Sequence, residues 1–312
     1  KGVFVIPKYR VDDLLWENGM VAGVKAGEEE IYAHVVVAAD GVFSFMGEKA
    51  GLKPKMSPHN YAVGIKEIIE LPEEKINDRF NVEAGEGVAH LFLGEVTKGL
   101  FGGGFLYTNK ESVSLGIVVG IKALMESKQN IEAHALMDVF KDRYELRTLI
   151  KDGGLSEYSA HVIPEGGFDG ISKLYGNGIL LTGDAAGFAL NMGVTVRGME
   201  FAIASGIVAA ETIAQAREAN DFSEKSLARY ETNLMETFVL KDLETCKAMP
   251  TFLDNESFFT FYPKCFPDLI EKIMWFDKGP KAGIGKTAWS HLKSSGMMSW
   301  KRLMELYRIK NL

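Results

Sequence analysis

The sequence predicts an α/β fold with a parallel sheet, interrupted by an antiparallel α+β insert and followed by a helical C-terminal region. Two buried strands that each end in small residues and a carboxylate, Val35–Asp40 and Gly178–Asp184, predict the α/β part. Between them, four strand-like runs separated by turns predict the insert. A length of 312 residues suffices for about two domains.

The composition is that of a globular protein, with 46% hydrophobic and 25% charged residues. It excludes disordered, collagen-like and disulfide-stapled chains. Cys246 and Cys265 have no CxxC spacing, so the chain alone cannot ligate an iron–sulfur cluster, and a structural zinc site is disfavoured. Two isolated cysteines favour a reducing, cytosol-facing compartment. No apolar run reaches the roughly 18–20 residues of a transmembrane helix.

The elements before the insert are strands, one hairpin and one short helix: a strand over 3–11, a hairpin of Arg10–Trp16 and Met20–Lys25 about Asn18-Gly19, a strand over Ile31–Ala39 and a helix over Phe45–Ala50. Asn-Gly is typical of a two-residue hairpin turn. A continuous apolar run is typical of a parallel strand buried on both faces. Because the chain starts in a strand without an initiator methionine, we expect an N-terminal piece to be missing.

A different order of strands and helices is predicted after residue 57. The strands expected in the insert are Tyr61–Ile69, Val88–Leu93, Gly103–Tyr107 and Ser112–Val119. Apolar residues at helical spacing predict a helix over Ile131–Phe140. After the strand Gly178–Thr182, an apolar stripe predicts a long helix over Arg197–Arg217, and Asp221–Leu240 is expected to form another.

The C-terminal tail differs in charge from the rest of the chain. Residues 278–312 hold eight Lys or Arg and one acid, a charge of +7, so the remainder carries −14 of the total of −7. A helix over Trp300–Leu312 would place Trp300, Leu303, Met304 and Tyr307 on one face. Such a basic amphipathic helix can bind an anionic membrane surface, dock on an acidic redox partner, or fold back on the acidic body of its own chain. The acidic body disfavours nucleic-acid binding.

Two strand–turn segments carry the residues best suited to a ligand. One is Val35–Gly41, and the other is Ile179–Phe188, followed by Asn191–Gly198 and a helix. Small residues let the backbone approach a ligand, and a carboxylate can accept hydrogen bonds from ribose or ribityl hydroxyls. The start of the helix stabilises a pyrophosphate or a reduced flavin. Both segments end where ligands bind in a doubly wound sheet.

The two segments together resemble the second and third FAD motifs of glutathione-reductase-type flavoproteins, in the branch of aromatic hydroxylases and geranylgeranyl reductases. Within that branch, the run from Thr182 to Gly206 is similar to the FixC family, relatives of electron transfer flavoprotein–quinone oxidoreductase. Gly102–Tyr107 and Ser114–Gly120 resemble the quinone-domain strands, and Ala160–Gly167 resembles the return to the FAD domain. The Gly-x-Gly-x-x-Gly loop of the family is absent, as are the cluster cysteines of the full-length quinone oxidoreductases.

The resemblance implies a glutathione-reductase-type FAD-binding domain, incomplete at its N-terminus, with an inserted antiparallel α+β substrate or quinone domain and a helical C-terminal region. The FAD-binding domain would comprise residues 1–57 and 159–240. The insert would comprise 58–158, and the C-terminal region 241–312.

The resemblance also implies the residues that contact FAD: Asp40, Gly41, Gly183, Asp184, Ala185, Gly193, Val194, Thr195 and Val196. Asp184 is expected at the ribityl or phosphate region, and Gly193–Val196 beside the flavin ring. Arg197 would add positive charge or form a surface ion pair. The expected quinone pocket is Phe101, Gly103, Phe105 and Tyr107, for which the core of the inserted sheet is the plainer interpretation. No catalytic side chain or metal is expected, because the cofactor carries the chemistry.

The implied function is an FAD-dependent oxidoreductase between an electron transfer flavoprotein, or a similar donor, and a ferredoxin-like iron–sulfur protein or quinone. It would be cytoplasmic, with the inner face of the membrane as a site of peripheral attachment. Two alternatives stay open. One is a flavin-dependent reductase or monooxygenase of the geranylgeranyl reductase branch. The other is a non-catalytic fragment that cannot bind FAD without the pyrophosphate loop.

Overall fold

The chain forms two compact units in a computed structural model that describes residues 2–53, 57–193, 195–276 and 278–309. Unit 1 comprises the residues up to Asn60 and Ile163–Lys247. Unit 2 comprises Tyr61–Val162 and the residues from Ala248 onward. The C-terminal region, expected as a segment of its own, therefore groups with the inserted sheet.

Short strands form the sheets of both units. Among the described residues they are β1 (Asp13–Glu17), β2 (Met20–Ala26), β3 (Glu29–Tyr32), β4 (Val36–Ala38), β5 (Tyr61–Glu70), β6 (Ala89–Phe92), β7 (Gly102–Thr108), β8 (Ser112–Gly120), β9 (Gly154–Pro164), β10 (Tyr175–Gly176), β11 (Ile179–Leu181), β12 (Leu190–Asn191) and β13 (Val196–Arg197). In unit 1, β1, β2 and β3 form one sheet, β10, β11 and β4 another, and β12 pairs with β13. The sheet of unit 2 has the order β6-β7-β8-β5-β9.

Helices follow or connect these strands. In the same described residues they are α1 (Phe45–Lys49), α2 (Glu73–Phe80), α3 (Ile121–Glu126), α4 (Ala133–Lys141), α5 (Tyr144–Arg147), α6 (Met199–Ala219), α7 (Glu224–Leu227), α8 (Arg229–Glu236), α9 (Phe238–Thr245), α10 (Met249–Leu253), α11 (Ser257–Thr260), α12 (Tyr262–Met274), α13 (Ile284–Ser294) and α14 (Trp300–Ile309). None of those helices is both long enough and apolar enough to cross a bilayer.

The predicted hairpin is confirmed, but the strand before it is wrong. Asn18 and Gly19 have φ angles of 49° and 77°, the left-handed pair that a type I′ turn requires. Residues 3–11 form no strand, and Phe4 is 91% exposed. A strand needs a neighbour for its backbone groups, and pairing with β2 starts only where the Asp12 N–H donates to the Lys25 carbonyl oxygen.

The single strand predicted over Ile31–Ala39 is also wrong, because the segment contributes to two sheets. Its first part is β3, where Tyr32 pairs with Gly23 in antiparallel register. Its second part is β4, where Val36 pairs with Ile179 in parallel register. The chain has to turn between β3 and β4 to change partners.

The core of unit 1 packs β4 and β11 against the long helix α6 and the helices after it. Its buried residues include Leu180, Phe188, Phe201 and Tyr230. The predicted long helix is confirmed as α6, whereas the single helix over Asp221–Leu240 is wrong. The segment holds α7, α8 and the start of α9. The Ser223 hydroxyl, at the start of α7, accepts from the Ser226 N–H, and the Thr237 hydroxyl, between α8 and α9, accepts from the Val239 N–H.

The core of unit 2 lies between one face of its sheet and helices α2, α4 and α5. Ile65, Leu115 and Ile117 face it from the strands, with Phe140 from α4. A Cβ on Gly104 would lie 2.5 Å from Phe140 Cζ, so the glycine lets α4 pack directly on β7. The strands predicted in the insert are β5, β6, β7 and β8, and the predicted helix is α4, which confirms these elements to within two residues at their ends.

Candidate functional site

The ends of two parallel strands meet in unit 1. β4 pairs with β11 in the register Val36↔Ile179 and Ala38↔Leu181. The pairing continues where the Thr182 N–H donates to the Ala38 carbonyl oxygen at 3.1 Å. Because both strands run in the same direction, the turns that follow them lie at one edge of the sheet. The structure thus brings the two strand–turn segments together.

Asp40 and Gly41 form the turn after β4. Asp40 Oδ2 accepts a hydrogen bond of 2.9 Å from the Met46 N–H, one of the free N–H groups at the start of α1. Gly41 has a φ of 77°, in the left-handed region that glycine adopts without strain. The hydroxyl oxygen of Ser44 is buried and has no hydrogen-bond partner in the described structure. This turn therefore combines an exposed carboxylate with an unsatisfied buried oxygen.

Gly183, Asp184 and Ala185 form a tight turn after β11. Gly183 has a φ of 57°, and a Cβ there would lie 3.1 Å from the Ala202 side chain of α6. Ser205, also in α6, accepts from the Gly183 N–H at 3.2 Å. Burial raises the pKa of Asp184, and the charge of Lys53 partly reverses that rise. The long helix thus holds the turn while the carboxyl group stays half-buried.

Lys53 is a site residue that the sequence did not single out. Burial lowers the pKa of its ammonium group, while the charges of Asp40 and Asp184 raise it. Its Nζ also donates to the carbonyl oxygen of Val42. Lys53 therefore places a cation near enough to both strand-end carboxylates to interact with their charges. A lone lysine just after α1 matches no spacing rule, so only the fold identifies it.

The loop between β12 and β13 is the segment expected beside the flavin ring. Asn191 pairs with Val196, and the Met192 N–H donates to the Thr195 carbonyl oxygen at 2.9 Å. Gly193 has a φ of 81°. Val196 is 51% exposed, and Thr195 is exposed as well. Val194 lies outside the described residues.

The start of α6 follows this loop directly. Gly198 precedes the helix, and its carbonyl oxygen accepts from the Ala202 N–H at 2.9 Å. The first N–H groups of a 21-residue helix concentrate positive potential there. The loop and the helix start are therefore suited to negative charge on a ligand.

Glu165 is a second residue that the sequence did not single out as part of the site. It is only 7% exposed, and its Oε2 accepts from Asn191 Nδ2 at 3.0 Å. Its Oε1 is buried without a hydrogen-bond partner. Burial raises the pKa of Glu165 to about 7, against the lowering effect of the hydrogen bond from Asn191. The Pro-Glu-Gly-Gly run that contains it indicated a return to the FAD domain but no role for the acid.

Arg197 forms ion pairs with two carboxylates of unit 1. Its Nε and Nη1 lie 2.6 Å from Glu200 Oε1 and Asp242 Oδ2, respectively. Its guanidinium lies 4.8 Å from the centre of the Phe201 ring. Of the two roles considered for Arg197, the structure shows the ion pair.

Three of the four expected quinone-pocket residues share one face of the unit 2 sheet. Gly103, Phe105 and Tyr107 alternate along β7, and the two rings stack with centroids 5.3 Å apart. The opposite face of this sheet is the one that packs on α4. Phe101 instead packs on Phe259, at 5.4 Å between ring centroids. The structure therefore groups Gly103, Phe105 and Tyr107 and gives Phe101 a different neighbour.

His34 and the two cysteines show no sign of a ligand or metal site in the described residues. His34 stacks on Phe222 with ring centroids 4.9 Å apart. Both cysteines are free, and Cys265 is buried. Across the described ranges, no group of three or more His, Cys, Asp or Glu side chains could hold a metal ion.

The residues at the unit 1 sheet edge fit a flavin dinucleotide. Lys53 and the start of α6 can neutralise phosphate, and Asp40 and Asp184 can accept from sugar hydroxyls. The left-handed glycines at 41 and 193 leave backbone accessible. The buried unpartnered oxygens of Ser44 and Glu165 are the kind of groups that a ligand satisfies.

Curated proteins similar to the chain carry related names. The chain is 43% identical over 298 residues to the probable electron transfer flavoprotein-quinone oxidoreductase YdiS of Escherichia coli K12, covering 96% of this chain and 69% of that protein. It is 41% identical, with the same coverage, to the protein FixC of Escherichia coli O157:H7. It is 37% identical to FixC of Azorhizobium caulinodans, covering 90% of this chain and 65% of that protein. No protein-family model matches the chain.

Solved structures share the fold at lower identity. A geranylgeranyl bacteriochlorophyll reductase-like protein from Thermoplasma acidophilum aligns with a TM-score of 0.63 at 20% identity, over 95% of this chain and 68% of that one. A variant of the halogenase PltM, in complex with FAD, aligns with a TM-score of 0.54 at 12% identity, over 92% of this chain and 56% of that one. These likenesses support the α/β FAD-binding fold.

Proposed function

This chain belongs to the family of FixC proteins and electron transfer flavoprotein-quinone oxidoreductases, and from this premise we propose how it handles electrons. It is an oxidoreductase with FAD as its cofactor. Electrons would enter from an electron transfer flavoprotein and leave to a quinone or a ferredoxin-like iron–sulfur protein. The observation that carries the proposal is the sheet edge where β4 and β11 end side by side, so that Asp40 and Asp184 follow neighbouring strands and Lys53 interacts with the charges of both.

FAD would supply the redox chemistry, and the chain would supply binding and orientation. We assign the dinucleotide to unit 1, on Asp40 and Gly41 after β4 and on Gly183, Asp184 and Ala185 after β11. Lys53 and the start of α6 balance phosphate charge. The backbone of Gly193, Thr195 and Val196 would contact the flavin ring. The half-buried setting of Asp184 would limit water there and strengthen hydrogen bonds from a bound ligand.

The insert would receive the quinone. Gly103, Phe105 and Tyr107 offer an apolar sheet face with a hydroxyl at its rim, which suits a flat ring with two carbonyl groups. Phe101, beside Phe259, would contribute as part of the packing around it. We propose a ferredoxin-like partner because a 4Fe–4S cluster needs four ligands and residues 1–312 supply two cysteines, Cys246 and Cys265.

The tail helix α14 would attach the protein to the inner face of the membrane. Its apolar side stays uncovered, with Trp300 77% and Tyr307 61% exposed. Its other side contacts the chain's own residues, since Glu305 accepts hydrogen bonds from Ser257 and Tyr262. Lys301 and Arg308 flank the apolar side. An exposed Trp and Tyr with basic neighbours suit the interface of an anionic bilayer.

The test is spectroscopic. The purified protein should show the absorption bands of oxidised flavin, or gain them when FAD is added. After reduction, mixing with a water-soluble quinone analogue or with an oxidised ferredoxin should restore those bands. A protein that stays colourless with FAD contradicts the proposal. Reoxidation by a polyprenyl substrate, but by neither acceptor, would instead support a reductase of the geranylgeranyl type.

A further inference from the structure

Glu165 differs from the other buried glutamates. Glu67 lies 2.9 Å from Lys141 Nζ, and Glu305 lies 2.9 Å from Arg302 Nη1. Glu165 is equally buried, but no ion pair to it occurs within the described residues. A buried carboxyl group without a cation is costly to keep, so it calls for a specific role.

A hydrogen-bonded relay connects Glu165 to the loop between β12 and β13. Asn191 uses both ends of its side-chain amide. Its Nδ2 donates to Glu165 Oε2 at 3.0 Å, and its Oδ1 accepts from the Gly193 N–H at 2.8 Å. Glu165 is itself anchored, because its N–H donates to the Asn60 carbonyl oxygen at 2.7 Å. The relay therefore ties the tip of the loop to a fixed point of unit 1.

The second oxygen of Glu165 indicates a ligand. Oε1 is buried and unpartnered, which costs free energy in the cofactor-free chain. Burial raises the pKa of the carboxyl to about 7, so at neutral pH the group can hold a proton and donate a hydrogen bond. Oε1 of Glu165 can thus form one more hydrogen bond, at the base of the loop between β12 and β13.

We propose that Glu165 is a positioning residue that, through Asn191, fixes the backbone at Gly193 for contact with the flavin. The identity of the ligand rests on the proposed function, whereas the relay is a property of the chain alone. With the relay intact, the backbone at Gly193 is preorganised before FAD arrives, and binding costs less ordering. Without it, the loop must be ordered by the ligand.

The relay is tested in cofactor-free protein by hydrogen exchange of the peptide that covers residues 190–197. Glu165→Leu and Asn191→Ala both break the relay and should speed exchange there at least tenfold. Glu165→Gln keeps an acceptor for Asn191 and should stay within twofold of the wild type. Thr212→Val is the matched control, since it removes a buried hydroxyl from α6 that bonds to the Val208 carbonyl oxygen. Unchanged exchange in Asn191→Ala, or equal acceleration in Thr212→Val, would overturn the relay.

The contact with flavin is tested by FAD titration and the visible spectrum of the bound cofactor. Glu165→Leu and Asn191→Ala should raise the Kd for FAD about tenfold and shift the flavin bands. Glu165→Gln should keep the wild-type Kd and the wild-type spectrum. Faster exchange with an unchanged Kd and spectrum would refute the positioning role and leave the proposed function standing. A wild-type protein that binds no FAD would refute the proposed function, and the exchange rates would still decide whether the relay exists.

Discussion

Lys53 and Asp184 compensate for each other's burial at the edge of the unit 1 sheet. Burial lowers the pKa of Lys53, and the Asp184 charge raises it again. Burial raises the pKa of Asp184, and the Lys53 charge lowers it again. Each group helps the other to stay ionised in a place where water screens charge poorly. The pair keeps a cation available where a phosphate is expected.

Replacing that cation should weaken FAD binding. We expect Lys53→Met to raise the Kd for FAD by about one to two orders of magnitude, because one charge-assisted hydrogen bond is worth about 1.5–3 kcal/mol. The effect should shrink at high salt. Quenching of flavin fluorescence at two salt concentrations measures it. Lys173→Met, which removes an exposed lysine paired with Glu224, is the control. Equal losses in both variants would contradict the phosphate role.

Gly183 should tolerate no side chain. Gly183→Ala places a Cβ at a φ of 57° and 3.1 Å from Ala202, so we expect a loss of about 1–2 kcal/mol in unfolding free energy. FAD affinity should fall as well, since the turn carries Asp184. Gly170→Ala is the control, because nothing lies within 4 Å of a Cβ there. Urea unfolding and FAD titration measure the two effects. If Gly170→Ala were the more harmful change, the turn would not be constrained as described.

Glu165 should make the stability of the cofactor-free protein fall as pH rises. Its pKa is raised from 4.5 to about 7, so below pH 4.5 the folded and unfolded chains are both protonated. As pH rises from 4.5 toward 7, Glu165 ionises in the unfolded chain before it does in the folded chain. The unfolding free energy therefore falls over this pH range. The full change is about 3 kcal/mol.

Glu165→Gln should remove this pH dependence. Urea unfolding at pH 4.5, 6 and 8 checks the expectation, with the difference between variant and wild type growing toward pH 8. Glu218→Gln, at an exposed position of α6, should leave the slope unchanged. A Glu165→Gln protein with the wild-type slope would show that Glu165 ionises normally.

Glu305 should have the opposite effect in unit 2. Burial would raise its pKa, but hydrogen bonds from Arg302, Asn255, Tyr262 and Ser257 lower it to about 2. Its contribution is therefore complete above pH 4.5 and is lost as pH falls through 2. We expect Glu305→Gln to reduce the unfolding free energy at pH 7 by about 3 kcal/mol. Thermal unfolding at pH 7 measures it, with the exposed Glu132→Gln as a neutral control.

The apolar side of α14 should bind lipid. The double change Trp300→Ala and Tyr307→Ala is expected to abolish most co-sedimentation with anionic vesicles, because both side chains are largely exposed. Neutral vesicles should bind weakly in either case. Trp16→Ala, at a half-exposed tryptophan of β1, is the control. Unimpaired sedimentation of the double variant would favour docking on a redox partner instead.

The sequence predicted those parts of the site that depend on local pattern. The family, the fold class and an FAD-dependent oxidoreductase are confirmed by the relatives and the flavoprotein folds. Asp40 and Asp184 could be placed together because each follows a strand of the predicted parallel sheet. The roles of the nine FAD residues and of the quinone pocket stay predictions.

Lys53 and Glu165 escaped prediction because their environment is made by distant parts of the chain. Lys53 interacts with the charge of Asp184, and Glu165 accepts a hydrogen bond from Asn191. Neither pair of residues is related by a helical or strand period or by a sequence motif. The breaks in the segment after α6 are different, since Ser223 and Thr237 are recognisable caps that a closer look at helix starts would find. The strand predicted over 3–11 failed because an apolar run alone cannot supply a partner strand.

The hydrogen bond from the Glu165 N–H to the Asn60 carbonyl oxygen joins the two points where the chain leaves unit 1 and returns to it. Because the exit from unit 1 and the return to it lie side by side, the length of the segment between them can change without stretching unit 1. Under the proposed function, residues 61–162 can therefore diverge in sequence while the two strand ends at the unit 1 sheet edge stay in place. A family that shares its fold with reductases and halogenases is what such an arrangement would be expected to produce.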